Sequence, residues 1–214
     1  HIVAGVEQRL GALASIKVEG YYKTYRDRVI EVSGSDLYSN DGEGIARGVE
    51  LMLKREGNGR WFGWISYSLA QSLRLDKGAD WIAYQYDQPN TLTLVGSYNL
   101  NPAWSLGSKV NWHSGPLITP VIGRTVDNSP SSNTGWLPVY GAAYSERLDD
   151  YIRVDLRSDY AFRFRGWRLN FYAEIINLFG RPNPAGVTYN NDYSKRENVN
   201  NLPFLPYIGL GAEF

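Results

Sequence analysis

The stretch YIRVDLRSDYAFRF, residues 151–164, alternates between two kinds of side chain. Ile152, Val154, Leu156, Ser158, Tyr160, Phe162 and Phe164 fall on one face of an extended chain, and Arg153, Asp155, Arg157, Asp159, Ala161 and Arg163 on the other. Successive side chains of a strand point to opposite faces, so this segment predicts a β-strand with an apolar wall and an ionic wall. The same period of two recurs near 2–9, 15–26, 44–55, 61–73, 90–100, 104–113, 167–179 and 206–214. On 15–26, Ile16, Val18 and Tyr22 oppose Lys17, Glu19 and Lys23; on 104–113, Trp104, Leu106, Val110 and Trp112 oppose Ser105, Lys109, Asn111 and His113. About nine strands are expected, with no helical period, heptad or internal repeat between them.

The connections sort into two kinds. LGALA, EGNGR, NLNPA and RG are short and rich in glycine, asparagine or proline, as tight turns require. They alternate with long polar stretches at 27–43, 74–89, 114–150 and 180–205. That order gathers the tight turns at one end of the strands and the long loops at the other, as in an antiparallel up-and-down meander rather than a Greek key. A two-residue loop at Arg165-Gly166 would fix the register of its strands. Phe164 then faces Trp167, Phe162 faces Leu169, Tyr160 faces Phe171, Ser158 faces Ala173 and Leu156 faces Ile175, while Arg157 meets Glu174 and Asp159 meets Tyr172. Arg163 opposite Arg168 is the one unfavourable pair and requires a solvated rim.

Alternation alone leaves the solvent of each wall open: a soluble sheet and a membrane barrel both have an apolar and a polar face. Strands of ten or so residues are longer than most soluble ones and match the length needed to cross a bilayer at a tilt. Aromatic residues make up 14% of the chain, and Tyr22, Tyr25, Trp61, Trp64, Trp104, Trp112, Trp167 and Phe179 gather near strand ends, where amphipathic rings suit a headgroup layer. No run of about 18 apolar residues is present, which excludes a transmembrane helix but not a barrel. Lysine plus arginine and aspartate plus glutamate balance at 22 each, so no basic field favours nucleic acid. The absence of cysteine excludes disulfides and thiolate chemistry. The expected fold class is all-β, an antiparallel up-and-down transmembrane β-barrel segment, with residues 1–214 forming one barrel portion.

Four stretches carry a family resemblance: GIARGVELMLKREGNGRWFGWISYSLAQS, YDQPNTLTLVGSYNLNPAWSLGSKVNWHSGPLITP, YIRVDLRSDYAFRFRGWRLNFYAEIINLFGRPN and LPFLPYIGLGAEF. In this order the chain resembles the carboxy-terminal part of the barrel of TonB-dependent outer-membrane receptors. The resemblance implies a bacterial outer-membrane location, a 22-stranded barrel, an amino-terminal plug domain, and energised import of a scarce nutrient through a TonB complex. No plug and no TonB-contacting segment is recognisable here. The start, HIVAGVEQRL, suggests a mature fragment. An odd number of meandering strands cannot close as an antiparallel ring, so the remaining strands are expected from another chain or from a part of the same receptor missing here. In YIGLGAEF, Ile208, Leu210 and Phe214 point outward and look like an outer-membrane assembly signal.

Candidate chemistry is sparse. Lys17, Glu19, Arg153, Asp155, Arg157, Asp159 and Glu174 read as a wall of mutually neutralising charges along a wet lumen rather than an acid–base site. Trp81, Tyr84, Trp136, Tyr140, Tyr144, Tyr189 and Tyr193 lie in the long loops and could stack on a sugar or an aromatic chelate, or pack the loops themselves. DNSPSSNTG, 127–135, reads as a mobile tip. His113 has only His1 as a fellow histidine, so no metal site is expected, nor any cofactor or catalytic set. Three readings follow: a transport receptor holding a siderophore, vitamin, metal complex, oligosaccharide or peptide; a stand-alone pore, adhesin or membrane enzyme; and a soluble carbohydrate-binding sheet. Leu156→Arg should harm assembly if the apolar wall meets lipid, while Asp155→Asn should be tolerated.

Overall fold

The computed structural model describes residues 1–31, 37–56, 59–76, 80–129 and 135–214. All its regular elements are strands. In chain order they are β1 (Ile2–Leu10), β2 (Ala14–Glu31), β3 (Tyr38–Arg55), β4 (Trp61–Leu75), β5 (Ile82–Ala83), β6 (Asn90–Asn101), β7 (Trp104–His113) and β8 (Leu117–Ile118), followed by β9 (Val121–Val126), β10 (Trp136–Tyr140), β11 (Glu146–Arg147), β12 (Tyr151–Phe164), β13 (Trp167–Ile176), β14 (Pro184–Tyr189), β15 (Arg196–Asn200) and β16 (Leu205–Glu213). One antiparallel sheet runs β1-β2-β3-β4-β6-β7-β12-β13-β16, with β5 added beside β4. These nine consecutive neighbours are the nine alternating segments of the sequence. Among the described residues no pairing joins β1 to β16, so the sheet is an open segment of a barrel.

The register of β12 on β13 is the one the hairpin rule dictates, from Phe164 opposite Trp167 up to Leu156 opposite Ile175. Gly166, at φ 95°, supplies the left-handed residue of the turn. Arg163 and Arg168 face each other at the exposed rim. Arg163 donates to the Pro102 carbonyl, and Arg168 to the Asn170 side chain, so neither charge is stranded.

Register carries each face across the whole sheet. Asp155 is opposite Lys109, Lys109 opposite Val95, Val95 opposite Trp64, Trp64 opposite Lys54, Lys54 opposite Ser15 and Ser15 opposite Arg9. Lys17 and Glu19 therefore share a face with Arg153, Asp155, Arg157, Asp159 and Glu174. The other face carries Val6, Val18, Leu51, Ile65, Leu94, Val110, Leu156, Phe171 and Leu210. The polarity of a globular fold is inverted here. Val6, Ile208 and Leu210 are 72%, 73% and 70% exposed, whereas Asp155 is 6% exposed. Leu148, Ala161 and Pro184 are the only buried apolar side chains among the described residues, and no second layer covers Leu156, itself 39% exposed.

Aromatic residues border this apolar face at two levels. Near the short turns stand Trp61, Trp104, Phe164 and Trp167, the last stacked on Phe164 at 4.3 Å and on Phe214 at 6.0 Å. Towards the long loops stand Tyr22, Tyr67 and Trp112. Tyr67 donates to Asn90 (2.7 Å) and Trp112 to Asp150 (2.9 Å), so each ring lies in the apolar band with its polar atom tied at the upper edge. Trp104 and Trp112 are separated on β7 by about 26 Å along the strand at the usual rise.

The loop boundaries differ from the sequence expectation. β2 and β3 run on to Glu31 and back from Tyr38, so most of the expected 27–43 loop is strand. The eighth segment stops at Ile176 rather than 179. Asn177 adopts φ 52° and its backbone N–H donates to the Asp155 carboxylate, which turns the chain out of the sheet. The 114–150 and 180–205 connections are folded back on themselves, β9 pairing with β10, β8 with β11 and β14 with β15, whereas β5 of the 74–89 connection pairs with the wall strand β4. Residues 57–58 of EGNGR and 130–134 of the expected tip lie outside the described residues.

Candidate functional site

The long connections collect at one end of the wall and are fastened there by arginines. Arg147 is the main clamp. It donates to the Asp87 carboxylate (2.8 Å), to the Asp87 carbonyl (2.6 Å) and to the Gly115 carbonyl (2.7 Å). Asp87, only 5% exposed, also accepts from the Ser72 backbone on β4 (2.7 Å). One part-buried ion pair thus ties the 80–89 connection and the 114–150 connection to the wall. Sequence reasoning missed it, because neither Asp87 nor Arg147 stands in an alternating pattern.

Around this clamp the seven candidate aromatics divide into three sets. Trp136 lies under the Arg124 guanidinium (4.6 Å), and Arg124 pairs with Asp192 and donates to its backbone carbonyl (2.9 Å). Tyr189 packs against Tyr193 (6.3 Å), and its hydroxyl accepts from the Val121 N–H (3.3 Å). The β9–β10 and β14–β15 hairpins are thereby latched together. Ser194 donates to the Asp192 carboxylate from its hydroxyl (2.6 Å) and backbone N–H (3.2 Å), and with Arg124 beside it the group is held at about 2, below the usual carboxylate range.

The second set sits at the top of the ionic face. Arg28 lies over the Tyr84 ring (5.0 Å), which meets Tyr86 edge-on (5.4 Å). Arg74, paired with Asp76, lies over Tyr144 (5.3 Å). Tyr25, Arg28, Ser72 and Tyr84 help line a hollow of about 270 Å³ below these rings. The third set is Trp81 and Tyr140, whose rings are 41% and 61% exposed and have no stacking, cationic or hydrogen-bonding partner among the described residues. Five of the seven aromatics therefore pack the loops, and two present open faces.

The charged ladder forms ion pairs two residues apart on one face. Arg153 meets Asp155 (2.9 Å), Lys17 meets Glu19 (2.8 Å), and Arg157 reaches both Asp159 (2.7 Å) and Glu174 (3.1 Å) while covering the Tyr172 ring (4.1 Å). Glu19, Asp155, Asp159 and Glu174 are thus each neutralised locally by a cation on the same face. His113 stacks on Tyr151 (4.6 Å), and its Nδ1 lies 2.9 Å from the Ser114 carbonyl and 3.2 Å from Gln88 Nε2. No group of three or more metal-ligating side chains comes together among the described residues.

Comparison with known proteins follows the same direction. The family model described as TonB dependent receptor-like, beta-barrel, matches residues 4–178. No curated protein matches the chain. Among solved structures, the ferric-catecholate import receptor Fiu from Escherichia coli K12 superposes with a TM-score of 0.58 at 16% identity, over 98% of this chain and 27% of that one. The outer membrane transporter YddB from Escherichia coli superposes with a TM-score of 0.62 at 14% identity, over 97% of this chain and 31% of that one. The chain thus spans about a third or less of the length of either structure.

Proposed function

The chain belongs to the TonB-dependent receptor β-barrel family of the bacterial outer membrane, and on that premise we propose that it forms part of the wall and capture mouth of an importer of scarce nutrients. The observation that supports this reading is the segregation of the sheet: an exposed apolar face, an opposite face of mainly charged and small polar side chains, and long connections latched at one end only. The ionic face, with Lys17, Glu19, Arg153, Asp155, Arg157, Asp159 and Glu174, lines the hydrated interior. The short turns stand at the periplasmic rim and the latched loops outside the cell, the usual arrangement of such barrels. The remaining strands, a plug and a TonB complex are the partners this reading requires.

Trp81 and Tyr140 are the loop aromatics that contact substrate; Tyr84, Trp136, Tyr144, Tyr189 and Tyr193 hold the mouth in shape. Exposed rings without internal partners are the ones whose burial a ligand can still gain. The substrate is a compact complex with apolar or aromatic surface, and a metal chelate suits it, in keeping with the ferric-catecholate cargo named for Fiu. The test is uptake by cells bearing the intact receptor, with ferric chelates, cobalamin and maltodextrin as probes, with and without a protonophore. Energy-dependent uptake of one probe, with its apparent affinity lowered about tenfold in Trp81→Ala/Tyr140→Ala, is expected. Passage of small solutes regardless of energisation would instead favour a passive pore.

A further inference from the structure

The lipid-facing surface carries one feature that an importer does not need. At the short-turn end of β3, Arg55 falls on the apolar face, opposite Gly63 of β4. Its guanidinium lies 4.2 Å over the Trp61 ring, and its buried Nε has no acceptor. The neighbouring Lys54 is paired with Glu56, whereas Arg55 has no carboxylate partner among the described residues. Arg60, exposed in the adjoining turn, adds a second cation at this level.

Beside Arg55 the apolar face is indented. Gly96 of β6 is paired with Gly63 of β4 on one side and Ser108 of β7 on the other, and the three form the floor of a groove of about 340 Å³. Leu53, Ile65 and Leu94 stand along it. The two glycines have different reasons. A Cβ on Gly63 would lie 2.4 Å from the Val95 carbonyl oxygen, so close strand packing requires glycine there. A Cβ on Gly96 would meet nothing within 4 Å, so that floor is open without any backbone need for it.

The geometry points to a bound anionic phospholipid, its phosphate on Arg55 and one acyl chain in the Gly63–Gly96–Ser108 groove. An unpaired guanidinium at the interface attracts anionic headgroups, and an arginine presents several donors to a phosphate at once. The groove is lined almost wholly by apolar groups and has Arg55 in its wall together with Leu53, Ile65, Leu94 and Val110. The inference rests on the apolar face meeting lipid, as proposed above.

The test uses the intact receptor, delipidated in detergent and titrated with phosphatidylglycerol or phosphatidylethanolamine under native mass spectrometry. Phosphatidylglycerol is expected to bind about fivefold more tightly than phosphatidylethanolamine. Arg55→Gln should remove that preference, and Gly96→Leu, which fills the groove, should weaken both lipids. Arg165→Gln, an exposed arginine in another short turn, should change neither. Unchanged phosphatidylglycerol binding in Arg55→Gln and Gly96→Leu, or an equal loss in Arg165→Gln, overturns the site. If Arg55→Gln fails to assemble, Gly96→Leu carries the test alone. Harm to assembly by Leu156→Arg beside unaltered lipid binding in Gly96→Leu would refute the lipid site and leave the membrane reading standing.

Discussion

Asp155 shows how position alters the meaning of a residue in an ionic wall. Its alternation with Arg153 and Arg157 reads as one solvated charge among several, for which an amide should serve as well. The structure makes it a cap. One carboxylate oxygen accepts from the Asn177 backbone (2.9 Å) and the other from Arg153 (3.0 Å), with the side chain buried. An asparagine could satisfy Asn177 only by turning its NH₂ towards the Arg153 guanidinium, placing donor against donor. Asp155→Asn should therefore cost about 1–3 kcal/mol, seen as faster hydrogen exchange in 177–183 and a lower denaturant midpoint of the intact receptor. Asp159→Asn removes a half-exposed pair with Arg157 and should stay within about 1 kcal/mol. Asn183 obeys the same logic. It is 1% exposed, its amide oxygen accepts from the Ile152 N–H (2.9 Å) and its NH₂ donates to the Ile152 carbonyl (2.9 Å), continuing the ladder beyond the end of β13. Asn183→Ala would leave both groups of Ile152 unpaired, and exchange at Ile152 should report it.

At the level of elements, the wall strands were legible in the sequence and the loops were not. A strand with different solvents on its two faces has to alternate, and the β12–β13 register follows from a two-residue turn once the faces are known. The hairpins β9–β10 and β14–β15 have no such two-sided environment, so nothing forces a period on them. What holds them is a few polar contacts between residues far apart in the chain, such as Arg124 with Asp192, which no local pattern announces. That latch has a pH signature. Asp192 is held at about 2, against an ordinary value of 3.8, first by the Ser194 hydroxyl and also by Arg124. A carboxyl held low in the folded state contributes in full above its unfolded value, and that contribution fades as pH falls through the folded value. Exchange protection of 121–126 and 189–195, corrected for intrinsic rates, should thus hold from neutrality down to about pH 4 and fall off towards about pH 2. Arg124→Gln should loosen the same two hairpins at neutral pH while the protection of β12 and β13 stays unchanged.

For the whole molecule, the stagger between strands decides depth in the bilayer. One hydrogen-bonding row runs from Leu10 through Ala14, Arg55, Gly63, Gly96 and Ser108 to Leu156 and Ile175. At its β1 end the row adjoins the short turn, since Leu10 is the last residue of β1. At β12 it has climbed most of the strand's length, since Leu156 lies well back from Phe164 at the turn. A row that climbs as it crosses the sheet means strands tilted to the common level of the turns, as closure of a barrel demands. Leu10 and Leu156 both face outward, 47% and 39% exposed, and they share a row, yet they differ in depth. The cost of a lipid-facing arginine falls from about 2–4 kcal/mol at the midplane to about 0–1 near the interface. Leu156→Arg should therefore impose the midplane cost and Leu10→Arg the interfacial one, measured by reversible denaturant titration of the intact receptor in phospholipid vesicles. Equal costs would place the row parallel to the membrane plane and remove the tilt. Two negligible costs would mean that the apolar face does not meet lipid, and the import reading would go with it.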